Sequence, residues 1–298
     1  MLSILIPTYN HNITTLVSEL HKQAMDTYVD FEIIVMEDGS TLFLNENKSV
    51  EVFENCIYIA LEKNLGRSAI RNRLADQARY EHLLFLDCDA EICSTNFVSK
   101  FIVFCKDDNV VLGGRIYDQN DENPQYSLIR KYGMERERND YHNQSERRKF
   151  PMFTTPNFLI SKNIFNKIRF DESIKGYGHE DTVFGIMLHK LQIEFIFIDN
   201  PVKHIGLETN KLFIKKTENA IQNLLFLNNS GNYPLLSKES KLLTIYLRLK
   251  KTRLIPLFAF AFSISRNLLQ KLLCSPRPSL LLFDLYKLLY LCKISLQK

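Results

Sequence analysis

Two aspartates, Asp87 and Asp89, stand one residue apart directly after the apolar run HLLFL. If the strand that begins at His82 continues to Asp89, both carboxylates point to one face, because alternate residues of a strand share a face. Two such carboxylates repel each other unless a cation or hydrogen-bond donors compensate. A Mg²⁺ or Mn²⁺ ion that carries a diphosphate would do so, since both ions favour oxygen ligands. The pair therefore indicates a metal or ribose site, or else a strand that ends in a solvated acidic turn.

Two earlier apolar runs also end in residues that suit a nucleotide, PTYN (Pro7–Asn10) and EDGS (Glu37–Ser40). Tyr9 offers a ring on which a base can stack, and Asp38 can accept a hydrogen bond from a base N–H. Ligands of open parallel sheets bind beyond the carboxyl ends of the strands, where these residues are expected. Asp-Gly-Ser is also an ordinary turn after a strand, so neither motif alone decides between the two interpretations.

Strand-like and helical segments alternate along the chain, which predicts an α/β fold with a mostly parallel central sheet flanked by helices. The predicted strands are Ser3–Tyr9, Phe31–Asp38, Cys56–Glu62, His82–Asp89, Val110–Ile116, Asn157–Ser161 and Glu194–Asp199. The predicted helices are Ile13–Met25, Ser68–Arg79, Thr95–Cys105, Asp181–Leu191 and Leu212–Leu227. The polar segment Tyr117–Lys149 interrupts the pattern, which is typical of a functional or mobile region.

Composition and charge divide the chain into two parts. Six cysteines without a Cys-x-x-Cys pair favour reduced thiols in a cytoplasmic protein. The start, MLSILIPTYN, lacks a basic region and predicts a first strand rather than a signal peptide. Of the formal net charge of +4, residues 241–298 carry +10 and residues 1–240 carry −6. We therefore expect a catalytic domain over residues 1–235 and a basic, Leu- and Phe-rich helical tail over residues 236–298.

Seven short motifs over about the first 210 residues resemble, in order, those of the family 2 glycosyltransferases of GT-A fold. They are IPTYN (6–10), EIIVMEDGS (32–40), NLGRSAIRN (64–72), FLDCD (85–89), GGRI (113–116), TPNFLIS (155–161) and GYGHED (176–181). The resemblance implies a Rossmann-like GT-A domain that transfers a sugar from a nucleotide donor with the help of Mn²⁺ or Mg²⁺.

The resemblance also implies a role for each matched residue. Asp89 would bind the metal directly, and Asp87 would bind ribose or belong to the metal shell. Gly114 and Arg115 would lie under the donor sugar, and Asn157 would contact the sugar or the acceptor. The residues expected to bind the nucleotide, usually a uridine nucleotide in this family, are Pro7, Thr8, Tyr9, Asp38, Asn64, Gly66, Arg71 and Asp87.

The motif GYGHED supplies the expected catalytic carboxylates, Asp181 and its neighbour Glu180. By resemblance, Asp181 removes the proton of the acceptor hydroxyl. Direct displacement at the anomeric carbon needs one base opposite the leaving group, together with a Lewis acid at the diphosphate, which predicts an inverting transfer. The alternative is a purely structural role, since acidic residues also stabilise the start of a helix.

Two histidines complete the candidate site. His204 follows the predicted strand Glu194–Asp199, where some relatives place a metal-binding histidine, so it is the candidate third ligand. A lone histidine beside apolar residues can equally be packed and hydrogen-bonded without a metal. His179 precedes the expected base and could contact the acceptor or a phosphate, or simply begin the helix.

The basic tail alternates Lys and Arg clusters with aromatic and aliphatic residues, most clearly over Thr244–Leu273. Its longest apolar piece without a charge, Leu254–Ser265, contains Pro256 and is short of the roughly 20 residues that span a bilayer. This pattern favours a helix that lies at an anionic membrane surface through residues 241–298. A helical pair that packs on protein is the alternative, and nucleic acid is not expected because the charge is interleaved with apolar residues.

These observations predict a metal-dependent inverting glycosyltransferase at the inner face of the cell membrane. It would move a hexose or hexosamine from a UDP-sugar to a saccharide or lipid-linked acceptor in bacterial surface polysaccharide synthesis. An inactive glycan-binding or scaffold protein on the same fold is the first alternative, although the intact Asp89 and Asp181 argue against it. A sugar-nucleotide pyrophosphorylase is the second, although PTYNHN replaces the glycine-rich basic loop that such an enzyme needs.

Overall fold

The computed structural model describes residues 1–106, 108–118, 123–137 and 153–297. These residues form two compact units. In the described part of the chain, the first unit comprises residues 1–106, 108–118, 153–173 and 187–206, and the second comprises residues 123–137, 174–186 and 207–297. The polar segment Tyr117–Lys149 therefore lies partly outside the described residues.

The described strands belong to the first unit. They are β1 (Leu2–Thr8), β2 (Phe31–Glu37), β3 (Cys56–Ala60), β4 (His82–Leu86), β5 (Ala90–Ile92), β6 (Val110–Leu112), β7 (Arg115–Tyr117), β8 (Asn157–Ser161), β9 (Phe195–Phe197) and β10 (Val202–His204).

The described helices occur in both units. They are α1 (Thr14–Met25), α2 (Leu44–Lys48), α3 (Arg67–Gln77), α4 (Phe97–Ile102), α5 (Ser127–Tyr132), α6 (Lys162–Ile168), α7 (Glu180–Lys190), α8 (Asn210–Ser230), α9 (Leu236–Glu239), α10 (Lys241–Lys251), α11 (Ile255–Leu273) and α12 (Leu280–Ser295). Short 3₁₀ turns occur at Ser49–Val52 and Pro124–Tyr126, and a π-helical turn occurs at Gly133–Glu137.

The main sheet has seven strands in the order β3-β2-β1-β4-β8-β6-β9. Strands β1 to β4 are parallel to one another, β6 and β9 are parallel to each other, and β8 is antiparallel to both β4 and β6. The predicted mostly parallel sheet is therefore confirmed. Strands β1 and β2 are apolar along nearly their whole length because helices cover both faces of such a sheet.

The predicted strand Val110–Ile116 is instead two strands in two sheets. β6 ends at Leu112 in the main sheet, and β7 begins at Arg115 in a second sheet of order β5-β10-β7. A Cβ at Gly113 would lie 2.2 Å from Oδ1 of Asn157, and Gly114 has a φ of +82°. The two glycines allow the chain to turn between the sheets at a point where a side chain has no room.

The second unit is held by an apolar core that α8, α11 and α12 share. Phe213 and Leu224 of α8 are buried in it together with Phe262 of α11 and Phe283 of α12. Helices on both sides of residue 235 therefore bury their apolar faces together, and the division of the chain at that residue stays a prediction. In the described chain, no helix is both long and apolar enough to span a membrane.

Candidate active site

The segment Asp87–Asp89 lies in a turn between two strands of different sheets. Strand β4 ends at Leu86 and β5 begins at Ala90, so the expectation of a strand that runs to Asp89 is wrong. The N–H of Asp87 donates to the carbonyl of Pro156 (3.0 Å), and the carbonyl of Asp89 accepts from the N–H of Ile205 (2.9 Å). Strand alternation thus does not determine where the two carboxylates point, and each carboxylate has its own side-chain partner, Arg71 for Asp87 and His204 for Asp89.

Arg71 is the partner of Asp87. Its Nη2 donates to Oδ1 of Asp87 at 2.7 Å, and the arginine side chain is only 3% exposed. The guanidinium also lies over the ring of Phe170, 5.5 Å from its centroid. Helix α3 holds Arg71 in this position, so the ion pair connects the first helical turns of α3 to the carboxyl end of β4. The expected roles of both residues in nucleotide binding stay predictions.

His204 is the partner of Asp89. The second sheet places it directly, because His204 pairs with Ala90 of β5 on one side and with Tyr117 of β7 on the other. Its Nδ1 lies 3.4 Å from Oδ2 of Asp89, and the Tyr117 ring meets the imidazole edge-on at 5.5 Å. Nδ1 is buried and has no hydrogen-bond partner of normal geometry among the described residues.

The surroundings of Asp89 favour its ionised form. Desolvation raises the pKa of this carboxyl, but the contact with His204 and the charges of His204, Arg115 and Arg67 outweigh it and lower the pKa to about 2. Arg115 lies over the Tyr117 ring at 5.3 Å. An ionised carboxylate surrounded by cationic side chains suits a site that receives a divalent ion together with an anionic diphosphate.

The side chains around Asp89 supply some, but not all, of the ligands that a divalent ion needs. The described residues bring no three His, Cys, Asp or Glu side chains into a cluster that could hold a metal alone. Asp89 offers carboxylate oxygens, His204 offers the buried Nδ1, and Asp87 is engaged with Arg71. Because Mg²⁺ usually keeps few protein ligands and takes the others from water and substrate phosphates, two protein ligands are compatible with such an ion.

The expected nucleotide-binding residues gather at the carboxyl ends of β1 and β2. The N–H of Asp38 donates to the carbonyl of Thr8 (2.8 Å), which puts the two motifs side by side. The carboxylate of Asp38 accepts from the N–H groups of Leu65 (2.6 Å) and Gly66 (3.0 Å). Asp38 therefore fixes the loop before α3, and each of its oxygens retains a lone pair for a base N–H.

The other nucleotide candidates at this end of the sheet are Asn64, Tyr9, Thr8 and Pro7. The side-chain amide of Asn64 donates to the backbone carbonyl of Asp38 (2.9 Å), and this bond stabilises the loop before α3. Tyr9 is 54% exposed, as a ring that stacks on a base must be, whereas Thr8 is buried. Pro7, the residue before Thr8, is paired with Met36 in the sheet register.

Asn157 lies beneath the glycine turn that separates β6 from β7. Its Nδ2 donates to the carbonyls of Gly114 (2.9 Å) and Asn200 (3.4 Å), and the residue is 1% exposed. Its Oδ1 is buried without a donor among the described residues. Asn157 therefore fixes the backbone of Gly114 and the start of β7, which carries Arg115. Its expected contact with sugar or acceptor stays a prediction.

The GYGHED motif forms a strained turn before α7 in the second unit. Gly176, Gly178 and His179 have positive φ values of 75°, 96° and 73°. The N–H of Thr182 donates to Oδ1 of Asp181 (2.6 Å), and Glu180 is buried. Burial lowers the pKa of His179 to about 4, even though the charge of Glu180 opposes this shift. His179 is thus a neutral imidazole at neutral pH, next to the candidate base.

One face of α8 supports this turn, which the sequence did not indicate. Nδ2 of Asn223 donates to the carbonyls of Lys175 (2.9 Å), Tyr177 (3.1 Å) and Gly178 (3.2 Å). A Cβ at Gly178 would lie 2.4 Å from Cβ of Ala220, so glycine is required for this close approach. Asn223 and Ala220 are three residues apart and lie on the same side of the helix.

Arg67 is a second group that the sequence did not single out. It is the first residue of α3, directly after Gly66, and its charge contributes to the lowered pKa of Asp89. The sequence feature that could have pointed to Arg67 is a basic residue at the start of a helix, a position where the helix dipole favours acidic residues. An unfavourable charge at that position is explained by an anion nearby.

Comparison with known proteins identifies the family. Residues 3–169 match the family described as glycosyl transferase family 2, and because this is more than half of the chain, the protein belongs to that family. Over 222 residues the chain is 28% identical to chondroitin synthase of Escherichia coli, in a match that covers 63% of this chain. The match spans 32% of that protein, about a third of its length.

Two solved structures share the fold. A mannosyltransferase of Pyrobaculum calidifontis, in complex with GDP-Man and Mn²⁺, has a TM-score of 0.56 and 14% identity, and covers 89% of this chain and 75% of its own. Glucosyl-3-phosphoglycerate synthase of Mycobacterium tuberculosis, with Mn²⁺, UDP and glucosyl-3-phosphoglycerate, has a TM-score of 0.50 and 15% identity, with 76% and 78% covered. The predicted GT-A fold and glycosyltransferase family are confirmed.

Proposed function

We propose that this glycosyltransferase is metal-dependent and inverting, and that it moves a sugar from a UDP-sugar to a hydroxyl group of a saccharide or lipid-linked acceptor. The observation that carries the proposal is the contact between Asp89 and His204. It combines an ionised carboxylate with a buried imidazole nitrogen that has no hydrogen-bond partner of normal geometry among the described residues. Such a nitrogen beside a carboxylate is what a metal ligand requires before the ion arrives.

Asp89 and His204 would hold the divalent ion, Mn²⁺ or Mg²⁺, with Asp87 in its outer shell. The chemistry that a bound ion supplies is neutralisation of the charge that grows on the departing diphosphate. Arg115 and Arg67, whose charges already act on Asp89, add donors for the same oxygens. Both solved structures described above contain Mn²⁺, which supports a divalent ion without deciding between manganese and magnesium.

The nucleotide would lie across the carboxyl ends of β1 and β2. Tyr9 supplies an exposed ring for base stacking, and Asp38 an acceptor for a base N–H. One of the two solved structures holds UDP and the other GDP-Man, so fold alone leaves the base open. We favour uracil because it is the usual base in the family that the motifs resemble. Gly114 and Arg115 would lie under the sugar.

Asp181 would act as the general base for the transfer. Its carboxylate takes the proton of the acceptor hydroxyl while the acceptor oxygen forms a bond to the anomeric carbon. The bond from that carbon to the diphosphate breaks at the same time, and its electron pair leaves with the diphosphate oxygen. Attack opposite the leaving group inverts the anomeric configuration. Thr182 fixes the carboxylate through its N–H, and Glu180 and the neutral imidazole of His179 precede Asp181 in the chain.

We place the enzyme in surface polysaccharide synthesis at the inner face of a bacterial membrane, in contact with anionic lipid through residues 241–298. The charge of +10 on that segment supports this location. A lipid-linked acceptor would be presented at the same surface, so a peripheral enzyme would meet it by diffusion in two dimensions.

The metal role is tested by nucleotide release from a panel of UDP-, GDP- and dTDP-sugars, with Mn²⁺, with Mg²⁺ and with a chelator. We expect release to require the ion and Asp89→Asn to lower it by about 100-fold or more. Asp30→Asn is the matched control, because Asp30 is exposed and precedes β2 at the opposite end of that strand. Full release with the chelator, or in Asp89→Asn, would refute metal dependence.

The base is tested separately by Asp181→Asn. This variant should lose about 100- to 10,000-fold in transfer while its affinity for the nucleotide sugar, measured by calorimetry, is unchanged. Loss of both properties would indicate a structural role for Asp181. Tight donor binding by the unaltered protein without any nucleotide release would instead favour the inactive binding protein.

A further inference from the structure

Helix α11 exposes a continuous row of large apolar side chains, here named the α11 stripe: Leu257, Phe260, Ile264, Leu268 and Leu272. Their exposed fractions are between 44% and 72%. The spacings of three and four residues place them on one face of the helix. The opposite face is already buried in the core of the second unit through Ile255, Ala259, Phe262, Leu269 and Leu273.

An ordinary surface helix buries one apolar face and turns a polar face to water. Helix α11 is apolar on both faces, and α12, which packs against it, also exposes Leu281 (79%) and Leu285 (41%). Continuous exposed apolar area of this kind marks a surface that meets a partner. Because no helix in the described residues can cross a bilayer, the stripe suits a helix that lies along an interface.

The charges around the stripe indicate what covers it. Arg253 precedes α11 and Lys271 lies in its last turn, while Lys250 and Lys251 end α10. The only acid of residues 241–298 is Asp284, which already contacts Arg136 and Lys287. A second copy would bring the same excess of positive charge to the contact and be repelled. An anionic lipid surface supplies both apolar depth and the opposite charge, worth about 1 kcal/mol for each basic residue near it.

We propose that the α11 stripe is the surface that inserts into an anionic membrane, with Arg253 and Lys271 at the level of the lipid headgroups. Helix α11, about 28 Å long, lies parallel to the membrane plane. Its buried face keeps its contacts with α12, such as that between Phe262 and Tyr286, so binding requires no unfolding of the second unit. The inference rests on the proposed membrane location of the enzyme but not on its chemistry.

Co-sedimentation of the full chain with lipid vesicles tests the proposal. One set of vesicles contains phosphatidylcholine alone, and the other contains phosphatidylglycerol as well. We expect binding to the anionic vesicles only, and about tenfold or greater weakening in the variant Leu257→Ser/Ile264→Ser. The matched control is Val52→Ser/Val103→Ser, which removes two aliphatic side chains of the first unit that are 81% and 63% exposed and should bind as the unaltered protein does.

A second variant tests the charges. Arg253→Gln/Lys271→Gln should also bind anionic vesicles more weakly. Added salt should weaken vesicle binding of the unaltered protein more than that of this variant, because the variant makes fewer charge contacts with the lipid that salt can screen. Equal binding to both vesicle types would refute the role of charge. Unchanged binding of Leu257→Ser/Ile264→Ser would refute the stripe itself.

Light scattering of the protein in solution decides between lipid and a second copy. A dimer that Leu257→Ser/Ile264→Ser dissociates, together with no vesicle binding, would overturn the proposal in favour of self-association. Melting temperatures of all variants within a few degrees of that of the unaltered protein would exclude misfolding as the cause. Vesicle binding by a protein that releases no nucleotide would contradict the proposed reaction and leave the stripe supported.

Discussion

Replacing Gly178 by alanine should displace the turn that carries the candidate base. Gly178 has a φ of +96°, and an added Cβ would lie 2.4 Å from Cβ and 3.0 Å from Cα of Ala220. Carbon atoms in contact are normally about 3.5–4.0 Å apart, so the turn would have to move by roughly 1 Å away from α8. That movement would also stretch the three hydrogen bonds that Asn223 donates to the turn.

The size of the effect follows from two costs. An alanine at such a φ costs about 1–3 kcal/mol, and the steric conflict adds about 1–3 kcal/mol if the turn stays in place. If the turn moves instead, Asp181 moves with it, and a displacement of about 1 Å in a reacting group can lower the rate by roughly 100-fold. We expect Gly178→Ala to lower the melting temperature and to reduce transfer by at least about tenfold.

The double variant Gly178→Ala/Ala220→Gly separates these costs. Removing the methyl group of Ala220 relieves the contact at 2.4 Å, but it leaves the milder contact with Cα at 3.0 Å and the cost of the positive φ. Glycine inside α8 costs about 1 kcal/mol in helix stability, so Ala220→Gly alone should be slightly less stable and fully active. The double variant should therefore regain much of the transfer rate without regaining stability.

Nucleotide release with saturating donor and ion, together with thermal unfolding, measures both quantities. The reasoning is refuted if Gly178→Ala keeps the unaltered rate, or if the double variant regains none of it. Recovery of stability in the double variant without recovery of the transfer rate would also contradict the reasoning, because the rate would then not depend on the position of the turn that carries Asp181.

Three further perturbations test other contacts. His179→Asn should flatten the pH dependence of the free energy of unfolding. Because the pKa of His179 is lowered in the folded protein, the unfolded state binds more protons between pH 6.5 and about 4, so the stability of the unaltered protein rises with pH there by roughly 3 kcal/mol. Identical pH profiles of urea denaturation for the two proteins would disprove this. Arg71→Met should cost about 2–4 kcal/mol because it leaves Asp87 without its partner, and adding Asp87→Asn should recover part of that loss in urea titrations. Phe85→Ala should cost about 3–5 kcal/mol, since Phe85 is 1% exposed and stacks on Phe158 at 4.8 Å; a loss below about 1 kcal/mol would contradict the packing.

The amino-acid sequence determined the family, the fold and the position of most candidate residues. Motifs such as IPTYN and GYGHED are local, and they occur in a fixed order. The strands of the main sheet are apolar over most of their length because both faces are covered, so β1, β2 and β4 were predictable to within three residues. Such patterns depend only on which residues are buried, which the order of residue types records.

The tertiary structure alone decided which groups meet. The family resemblance had grouped His204 with the two aspartates, but its strand β10 has only three residues, too few for a periodic signal, and only the fold shows that it contacts Asp89 and not Asp87. The partner of Asp87 could not be inferred either, because the sequence suggested one cation for two carboxylates and the fold provides Arg71 for one and His204 for the other.

The tail shows the same division. Its high apolar content was evident from the sequence, but which side of α11 is buried was not, since both sides are apolar. The core shared by α8, α11 and α12 buries one side and leaves Ile264 and its neighbours exposed. Contacts between distant segments depend on where the folded chain returns, and no local pattern of residues records that path.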